Sequence, residues 1–250
     1  MLNKNYLRAI EIVGTLPKES YVSRLPVIKS LVSLGRLCFS APVTFLVGEN
    51  GTGKSTLLEA IAVAMGFNPE GGGRNFTFAT NDSHSELWKY IDTLKGLAPR
   101  DGYFLRAESL YNLATNIDEM DKEPSFDPKV IESYGGVSLH KQSHGESFLA
   151  LVQNRFTGNG LYILDEPEAA LSPMRLLTLI SEIDRLVNRN SQLIIATHSP
   201  ILMAYPKAEI IELSQNGINK ISYTDTEHYK VTKQFLDNPE RMLKYLLEES

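Results

Sequence analysis

The sequence predicts an α/β fold with a mostly parallel β-sheet, and two observations carry this prediction. First, the short runs 43–47, 161–164 and 193–196 are apolar at nearly every position, which is typical of strands that helices cover on both faces. Second, each run is followed by a loop and then by helically spaced apolar residues, most clearly over 56–65 and 174–187. This alternation indicates parallel strands joined by right-handed crossovers.

Antiparallel strands are expected around this parallel core. Residues 7–13 are predicted to form one such strand, and 209–223 is predicted to form a hairpin that turns at the Asn-Gly pair 216–217. The region of about 68–155 contains glycine-rich breaks and is interpreted as an inserted helical and irregular lobe. We therefore expect residues 1–250 to form a single domain with one insert.

Composition excludes several classes of protein. The chain has 250 residues and a single cysteine, Cys38, which excludes a disulfide framework and favours a reducing, cytoplasmic location. The N-terminus lacks the apolar core of a signal peptide, and the uncharged stretch 190–206 is too short to cross a bilayer, so no integral membrane segment is expected. A net charge of −5 argues against a protein that coats nucleic acid by bulk electrostatics.

A glycine-rich loop follows the first predicted parallel strand and fits the pattern G-x-x-x-x-G-K-[ST]. Its glycines allow backbone N–H groups to point inward at a triphosphate, and the helix start that follows favours an anion. Lys54 is predicted to bridge the outer phosphates of ATP, and the Ser55 hydroxyl to bind Mg²⁺. The predicted nucleotide-binding residues of this loop are Gly48, Glu49, Asn50, Gly51, Thr52, Gly53, Lys54, Ser55 and Thr56.

Two carboxylates, Asp165 and Glu166, end the second predicted parallel strand. This edge of an open α/β sheet is where ligands bind. Asp165 is suited to Mg²⁺ coordination, mostly through water, and Glu166 can orient and deprotonate an attacking water. The third parallel strand ends at His198, whose imidazole can donate a hydrogen bond to the terminal phosphate. Glu166, His198 and Lys54 are therefore the predicted catalytic residues.

These elements resemble the ABC-type P-loop ATPases, which include transporter motor domains and the SMC, RecF and OLD-type ATPases. The resemblance covers about residues 5–215 and rests on the loop 48–55, the strand end 164–167 and the element 196–199. The stretch 165–172 is closer to soluble SMC- and OLD-like ATPases than to transporters. The combined pattern is also similar to small stand-alone bacterial ATPases, a group that implies no specific biological role.

ABC ATPases carry a further motif, L-S-G-G-[QE], before the acidic strand. Its counterpart here lies at 142–147 and leads into a predicted helix at 148–152, with His144 in place of the first glycine. The resemblance implies that Ser143 and Gly145 contact the γ-phosphate of ATP bound to the opposite subunit, and a hydroxyl and a free N–H at a helix start suit that role. Metal binding by His140 and His144 is an alternative, although no third ligand has suitable spacing.

Two departures from the family pattern stand out. ABC ATPases carry a glutamine at a strand end between these motifs, but here the predicted strand 103–106 is followed by Ala107 and Glu108. Whether Glu108 reaches the metal through water stays open. The span between Ser55 and Asp165 is also too short for the long coiled-coil arms of SMC-type proteins.

The resemblance implies a soluble, Mg²⁺-dependent ATPase whose two copies close face to face on two ATP molecules. ATP would drive this homodimer together and hydrolysis would release it, in DNA repair or in defence. Two alternatives remain: the motor subunit of a membrane ABC transporter, and an ATP-gated regulator of a separate effector that hardly turns over. DNA and a separate effector protein both stay open as partners, and an OLD-type nuclease is not expected within the residues after His198.

Overall fold

The structure is a computed structural model that describes residues 5–17, 19–73, 85–122 and 128–248. The strands, in chain order, are β1 Leu7–Ile12, β2 Arg36–Cys38, β3 Val43–Val47, β4 Gly72–Gly73, β5 Ile91–Lys95, β6 Asp101–Arg106, β7 Gly160–Asp165, β8 Gln192–Ala196, β9 Ala208–Ser214 and β10 Gly217–Ile221. The α-helices are α1 Pro26–Leu34, α2 Lys54–Ala64, α3 Leu110–Met120, α4 His144–Arg155, α5 Pro173–Asn188, α6 Pro200–Met203, α7 Glu227–Asp237 and α8 Pro239–Glu248.

The main sheet has seven strands in the order β10-β9-β3-β8-β7-β6-β4. Its five inner strands run parallel to their neighbours, whereas β10 and β4 pair antiparallel at the two edges. The three predicted parallel strands are β3, β7 and β8, which are confirmed and lie side by side with every residue buried. The mixed α/β fold class is confirmed, and the sheet order brings the ends of these three strands together.

Helices cover both faces of the sheet, as continuous apolar strands require. Alternate side chains of each strand enter two separate cores: Phe45 points to one face and Leu46 to the other. On the Leu46 face lie α1 and α2, and on the Phe45 face lie α3, α4 and α5. The helix α5 shows how a helix packs on the sheet, because its buried residues follow helical spacing along one stripe: Leu176, Leu179, Ile183 and Leu186.

A second sheet of three antiparallel strands has the order β2-β1-β5. It confirms the antiparallel strand predicted at 7–13, although its partner β5 comes from far along the chain. The predicted hairpin at the C-terminal end is confirmed as β9 and β10. In addition, β9 pairs parallel with β3 and so extends the main sheet, a role that the sequence pattern did not predict.

The range 68–155 holds both strands and helices. Among its described residues, β4, β5 and β6 belong to the two sheets. The helical part consists of α3, α4 and three short 3₁₀ turns, Glu86–Tyr90, Val130–Tyr134 and Leu139–Lys141. That this range is an insert in a single domain stays a prediction. The helices α7 and α8 end the described chain, and none of the helices in the described ranges is long and apolar enough to span a membrane.

Candidate nucleotide-binding site

The glycine-rich loop lies between β3 and α2 and turns through backbone conformations that favour glycine. Gly48, Gly51 and Gly53 have φ angles of 141°, 81° and 98°, which side-chain-bearing residues rarely adopt. At Gly48 a Cβ atom would also lie 2.1 Å from the backbone oxygen of Leu213. The loop therefore depends on glycine both for its turns and for its close approach to β9.

Lys54, the first residue of α2, folds back over this loop. Its Nζ donates hydrogen bonds to the carbonyl oxygens of Gly48 at 2.8 Å and Glu49 at 3.0 Å, and only 4% of the residue is exposed. Burial lowers the pKa of Lys54, an effect that the carboxylates of Glu166 and Asp165 oppose. The ammonium group is thus held at the centre of the loop, where an anionic ligand can replace the carbonyl oxygens.

Ser55 and Asp165 meet across the sheet. Ser55 Oγ donates a hydrogen bond to Asp165 Oδ1 at 3.0 Å, and Arg106 Nε lies 3.4 Å from Asp165 Oδ2. A second nitrogen of Arg106 binds the carboxylate of Glu59 on α2 at 2.8 Å. Burial raises the pKa of Asp165 to about 6, although the Arg106 guanidinium and the Ser55 hydroxyl favour its charged form.

The residues here fit a magnesium ion. A cavity of about 50 Å³ borders Ser55, Asp165 and Glu108, so it offers the hard oxygen donors that Mg²⁺ prefers. The buried carboxylate of Asp165 carries an unfavourable charge that a cation would neutralise. No three His, Cys, Asp or Glu side chains of the described residues are grouped to hold a metal by themselves. Mg²⁺ commonly binds through one or two protein ligands together with substrate phosphates and water, which is the arrangement this donor set allows.

The alternative metal site at His140 and His144 gains no support. His140 Nε2 lies 3.1 Å from Thr115 Oγ1, and its ring packs edge-on against Tyr111 of α3. Among the described residues no third metal ligand joins the two histidines. His140 therefore belongs to the contact between α3 and the turn before α4.

Glu166 and His198 face each other at the ends of β7 and β8. Glu166 has a left-handed backbone with φ 47°, and its Oε1 lies 3.5 Å from His198 Nε2, which is too long for a good hydrogen bond. The Glu166 side chain is 41% exposed, so its carboxylate is open to a water molecule. Burial and the nearby Lys54 ammonium lower the pKa of His198, which keeps the imidazole neutral at neutral pH.

Glu168 fixes the relative position of these two residues. Its carboxylate accepts a hydrogen bond from Thr197 Oγ1 at 2.8 Å and a second from the backbone N–H of His198. Burial raises the pKa of Glu168, while these hydrogen bonds favour the charged form. Glu168 lies in the sequence motif, but its role was not predicted. The feature that could have indicated this role is a second acidic residue shortly after Glu166, separated from it by Pro167.

Ser143 and Gly145 lie together at the start of α4. Ser143 Oγ and backbone N both donate to Glu146 Oε2, at 2.6 Å and 2.9 Å, which forms a capping box. Arg175 of α5 binds both Ser143 Oγ and Glu146 at 3.1 Å. At Gly145 a Cβ atom would lie 2.8 Å from the backbone oxygen of Ala170, so glycine permits the close packing of α4 on the turn between β7 and α5.

The predicted residues therefore form two groups. Lys54, Ser55, Asp165, Glu166 and His198 come together at the carboxyl ends of β3, β7 and β8. Ser143 and Gly145 form the second group, and the described partners of the Ser143 hydroxyl are Glu146 and Arg175.

Two segments of the chain match known families, and both contain residues of the first group. Residues 29–123, which contain the glycine-rich loop, match a family described as AAA domain. Residues 147–204, which contain Asp165, Glu166 and His198, match a family described as AAA domain, putative AbiEii toxin, Type IV TA system. Over these two segments the chain is similar to AAA-type domains.

Two curated relatives show the range of proteins with similar sequences. The cytochrome c biogenesis ATP-binding export protein CcmA of Legionella pneumophila is 28% identical over 165 residues, which cover 62% of this chain and 78% of that protein. The Retron Vc95 probable ATPase of Vibrio cholerae is 26% identical over 133 residues. That match covers 46% of this chain and only 25% of the retron protein.

Solved structures share the fold at low sequence identity. MJ1267, an ATP-binding cassette of an ABC transporter, superimposes with a TM-score of 0.51 and 18% identity over 96% of this chain and 98% of that one. The cbiO1 protein from Clostridium perfringens, part of the ABC transporter complex cbiONQ, gives a TM-score of 0.50 and 16% identity over 98% and 99% of the two chains. At this identity the likeness establishes the fold of the chain.

Proposed function

We propose that this chain is a Mg²⁺-dependent ATPase whose two copies close face to face on two ATP molecules. The observation that supports it best is the meeting of the glycine-rich loop with the acidic strand, through the 3.0 Å hydrogen bond between Ser55 and Asp165. Glu166 and His198 lie beside this contact. A triphosphate held by the loop would therefore have its terminal phosphate close to both side chains.

Each side chain has a distinct role in this proposal. Lys54 Nζ exchanges its two backbone carbonyls for the oxygens of the outer phosphates. Ser55 and Asp165 would hold Mg²⁺, which neutralises phosphate charge when bound. Glu166 orients the attacking water and takes its proton, and a neutral His198 donates a hydrogen bond to the γ-phosphate.

The second group of residues supports a dimer. Ser143 is exposed at the N-terminus of α4, a helix of 12 residues whose free N–H groups and dipole favour an anion. Its hydroxyl is occupied within its own chain by Glu146 and Arg175, and both of these contacts lie on the exposed surface. In the proposed dimer, Ser143 and Gly145 complete the phosphate site of the opposite copy, so each site is incomplete in the monomer.

ATP binding and turnover test this function directly. We expect the chain to hydrolyse ATP only with Mg²⁺, and Lys54→Ala to remove both ATP binding, measured by calorimetry, and hydrolysis. Lys29→Ala is the matched control, because Lys29 is an exposed lysine on α1. Unchanged ATP binding by Lys54→Ala, or loss of binding in both variants, would contradict the assignment.

Two other functions share this site. Similarity to the export protein CcmA favours a motor subunit of a membrane transporter, and co-purification of the chain with a membrane permease would support that function.

Similarity to a retron ATPase favours an ATP-gated regulator of a separate effector. Steady hydrolysis well above one ATP per hour in the isolated chain would argue against a pure switch, and stimulation by DNA would identify the partner.

A further inference from the structure

A second histidine, His228, contacts the predicted catalytic histidine. His198 Nδ1 and His228 Nε2 lie 2.7 Å apart, and the two rings meet at an angle of 62°. His228 is the second residue of α7, a helix whose start is fixed by Thr226: its side chain accepts a hydrogen bond from the backbone of Tyr229. The contact therefore joins the loop after β8 to the well-capped end of a C-terminal helix.

This distance restricts the protons on the two rings. Two neutral imidazoles make a hydrogen bond only when one nitrogen carries a proton and the other offers a lone pair. The other ring nitrogen of His198, Nε2, lies 3.5 Å from the carboxylate of Glu166, which can only accept. That contact is too long to fix the tautomer by itself, but it favours a proton on Nε2, and in that tautomer Nδ1 accepts and His228 Nε2 donates.

The free nitrogen of His198 is directed into the nucleotide site. His198 Nε2 is buried and has no hydrogen-bond partner within the described part of the chain. A buried polar atom without a partner is costly, and functional sites are where such atoms occur. An Nε2–H group in this position is available to a ligand atom near Glu166 and Lys54.

We propose that His228 is a positioning residue that holds His198 in the Nε2-protonated tautomer and so presents its N–H to the γ-phosphate. This inference rests on the proposed function, because the contact between His198 and ATP is part of that function. In this role His228 acts through the ring of His198.

The charged groups around the pair are consistent with two neutral rings. Lys54 and Glu166 lie near His198, and Lys54, Glu212 and Glu227 lie near His228. Burial is the main influence on both histidines and lowers both pKa values. A proton added to His198 Nδ1 would place two N–H groups against each other and remove the hydrogen bond, whereas a proton added to His228 Nδ1 would leave it in place.

Two substitutions distinguish the effect of the hydrogen bond from the effect of the size of the ring. His228→Gln keeps an N–H donor on a side chain of similar reach, whereas His228→Leu keeps the bulk without a donor. A cavity of about 340 Å³, bordered by His228, Asn50 and Val231, leaves room for either side chain. His140→Leu is the control, because His140 lies against α3.

The tautomer can be measured without ATP, by long-range ¹H–¹⁵N NMR of the imidazole rings, and the chain has only five histidines to assign. We expect His198 to be protonated at Nε2 in the unmodified chain, in His228→Gln and in His140→Leu, and to lose this preference in His228→Leu. A His198 protonated at Nδ1 in the unmodified chain, or the same tautomer in His228→Leu, would overturn the inference.

ATP hydrolysis gives the second readout. We expect His228→Leu to lower kcat about tenfold with little change in KM, and His228→Gln to recover most of the loss. Equal kcat values in the two variants would overturn the positioning role. The two readouts can also disagree. If the tautomer of His198 depends on His228 but the chain has no ATPase activity, the proposed function is contradicted, whereas the contact between the two histidines still stands.

Discussion

Ser55 Oγ lies 3.0 Å from Asp165 Oδ1, although 110 positions separate the two residues in the chain. The contact is possible because β3 and β7 flank β8 in the parallel sheet, so that the loop after β3 and the end of β7 meet at one edge. Arg106 at the end of β6 extends the same network to Asp165 and Glu59. The sheet order therefore brings the residues of the candidate magnesium site together.

Asp165→Asn should stabilise the nucleotide-free chain. Burial raises the pKa of Asp165 to about 6, so above that pH the ionised carboxylate opposes folding. We expect the variant to increase the free energy of unfolding by about 1–3 kcal/mol at pH 8, measured in urea, since two units of pKa correspond to roughly 3 kcal/mol. The gain should shrink as the pH falls from 6 to 4, where the folded chain binds the proton itself.

The exposed Asp92→Asn serves as the control for this measurement and should show no such pH dependence. An Asp165→Asn variant that is less stable than the unmodified chain at pH 8 would contradict the electrostatic interpretation. The variant should also lose the extra thermal stability that Mg²⁺ adds to the ATP complex.

Complementation between two inactive variants tests the shared site. Lys54→Ala lacks the loop ammonium and Ser143→Ala lacks the opposite hydroxyl, so a mixed dimer of the two has one intact site. If subunits exchange at random in a two-fold dimer, an equal mixture should recover roughly a quarter of the unmodified activity. In the control mixture, a chain with both substitutions, Lys54→Ala and Ser143→Ala, replaces the Ser143→Ala chain, and no activity should be recovered. A lack of activity in the first mixture as well would contradict the composite site.

Glu168→Ala should lower turnover more than ATP affinity. Removal of the carboxylate leaves the Thr197 hydroxyl and the His198 backbone N–H without their acceptor, so the loop that carries His198 loses its fixed position. We expect kcat to fall tenfold or more, on the order of 1.4 kcal/mol of barrier, with nearly unchanged ATP affinity. The exposed Glu86→Ala is the control, and an equal effect on affinity and kcat would disprove this role.

The parallel core could be predicted because its signals are local. Each of β3, β7 and β8 is a short apolar run followed by a loop, so the sequence around it contains enough information. The pairing of β1 with β5 could not be predicted in this way, since antiparallel partners far apart in the chain leave no common local pattern. The parallel pairing of β9 with β3 has the same explanation.

The residues of the candidate site also divide into those that local sequence patterns predict and those that they do not. Ser55, Asp165 and His198 follow strands or a recognisable loop, and the topology of a parallel sheet brings them to one edge. Glu168 and His228 act through contacts with a loop about thirty positions away. Their roles depend on the packing of α7 and of the turn after β7, which a pattern of residue types does not encode.

The state of a Glu166→Gln chain with Mg²⁺ and ATP is the measurement that tests the central claim most directly. The amide keeps the shape of the side chain but cannot take a proton from water, so we expect ATP to bind, turnover to fall about 10²–10⁴-fold and the dimer to persist. Analytical ultracentrifugation would then show a stable dimer with ATP and a monomer without it, and the added Lys54→Ala substitution should abolish the dimer. A Glu166→Gln chain that stays monomeric at saturating ATP, or that hydrolyses ATP at the unmodified rate, would contradict the account.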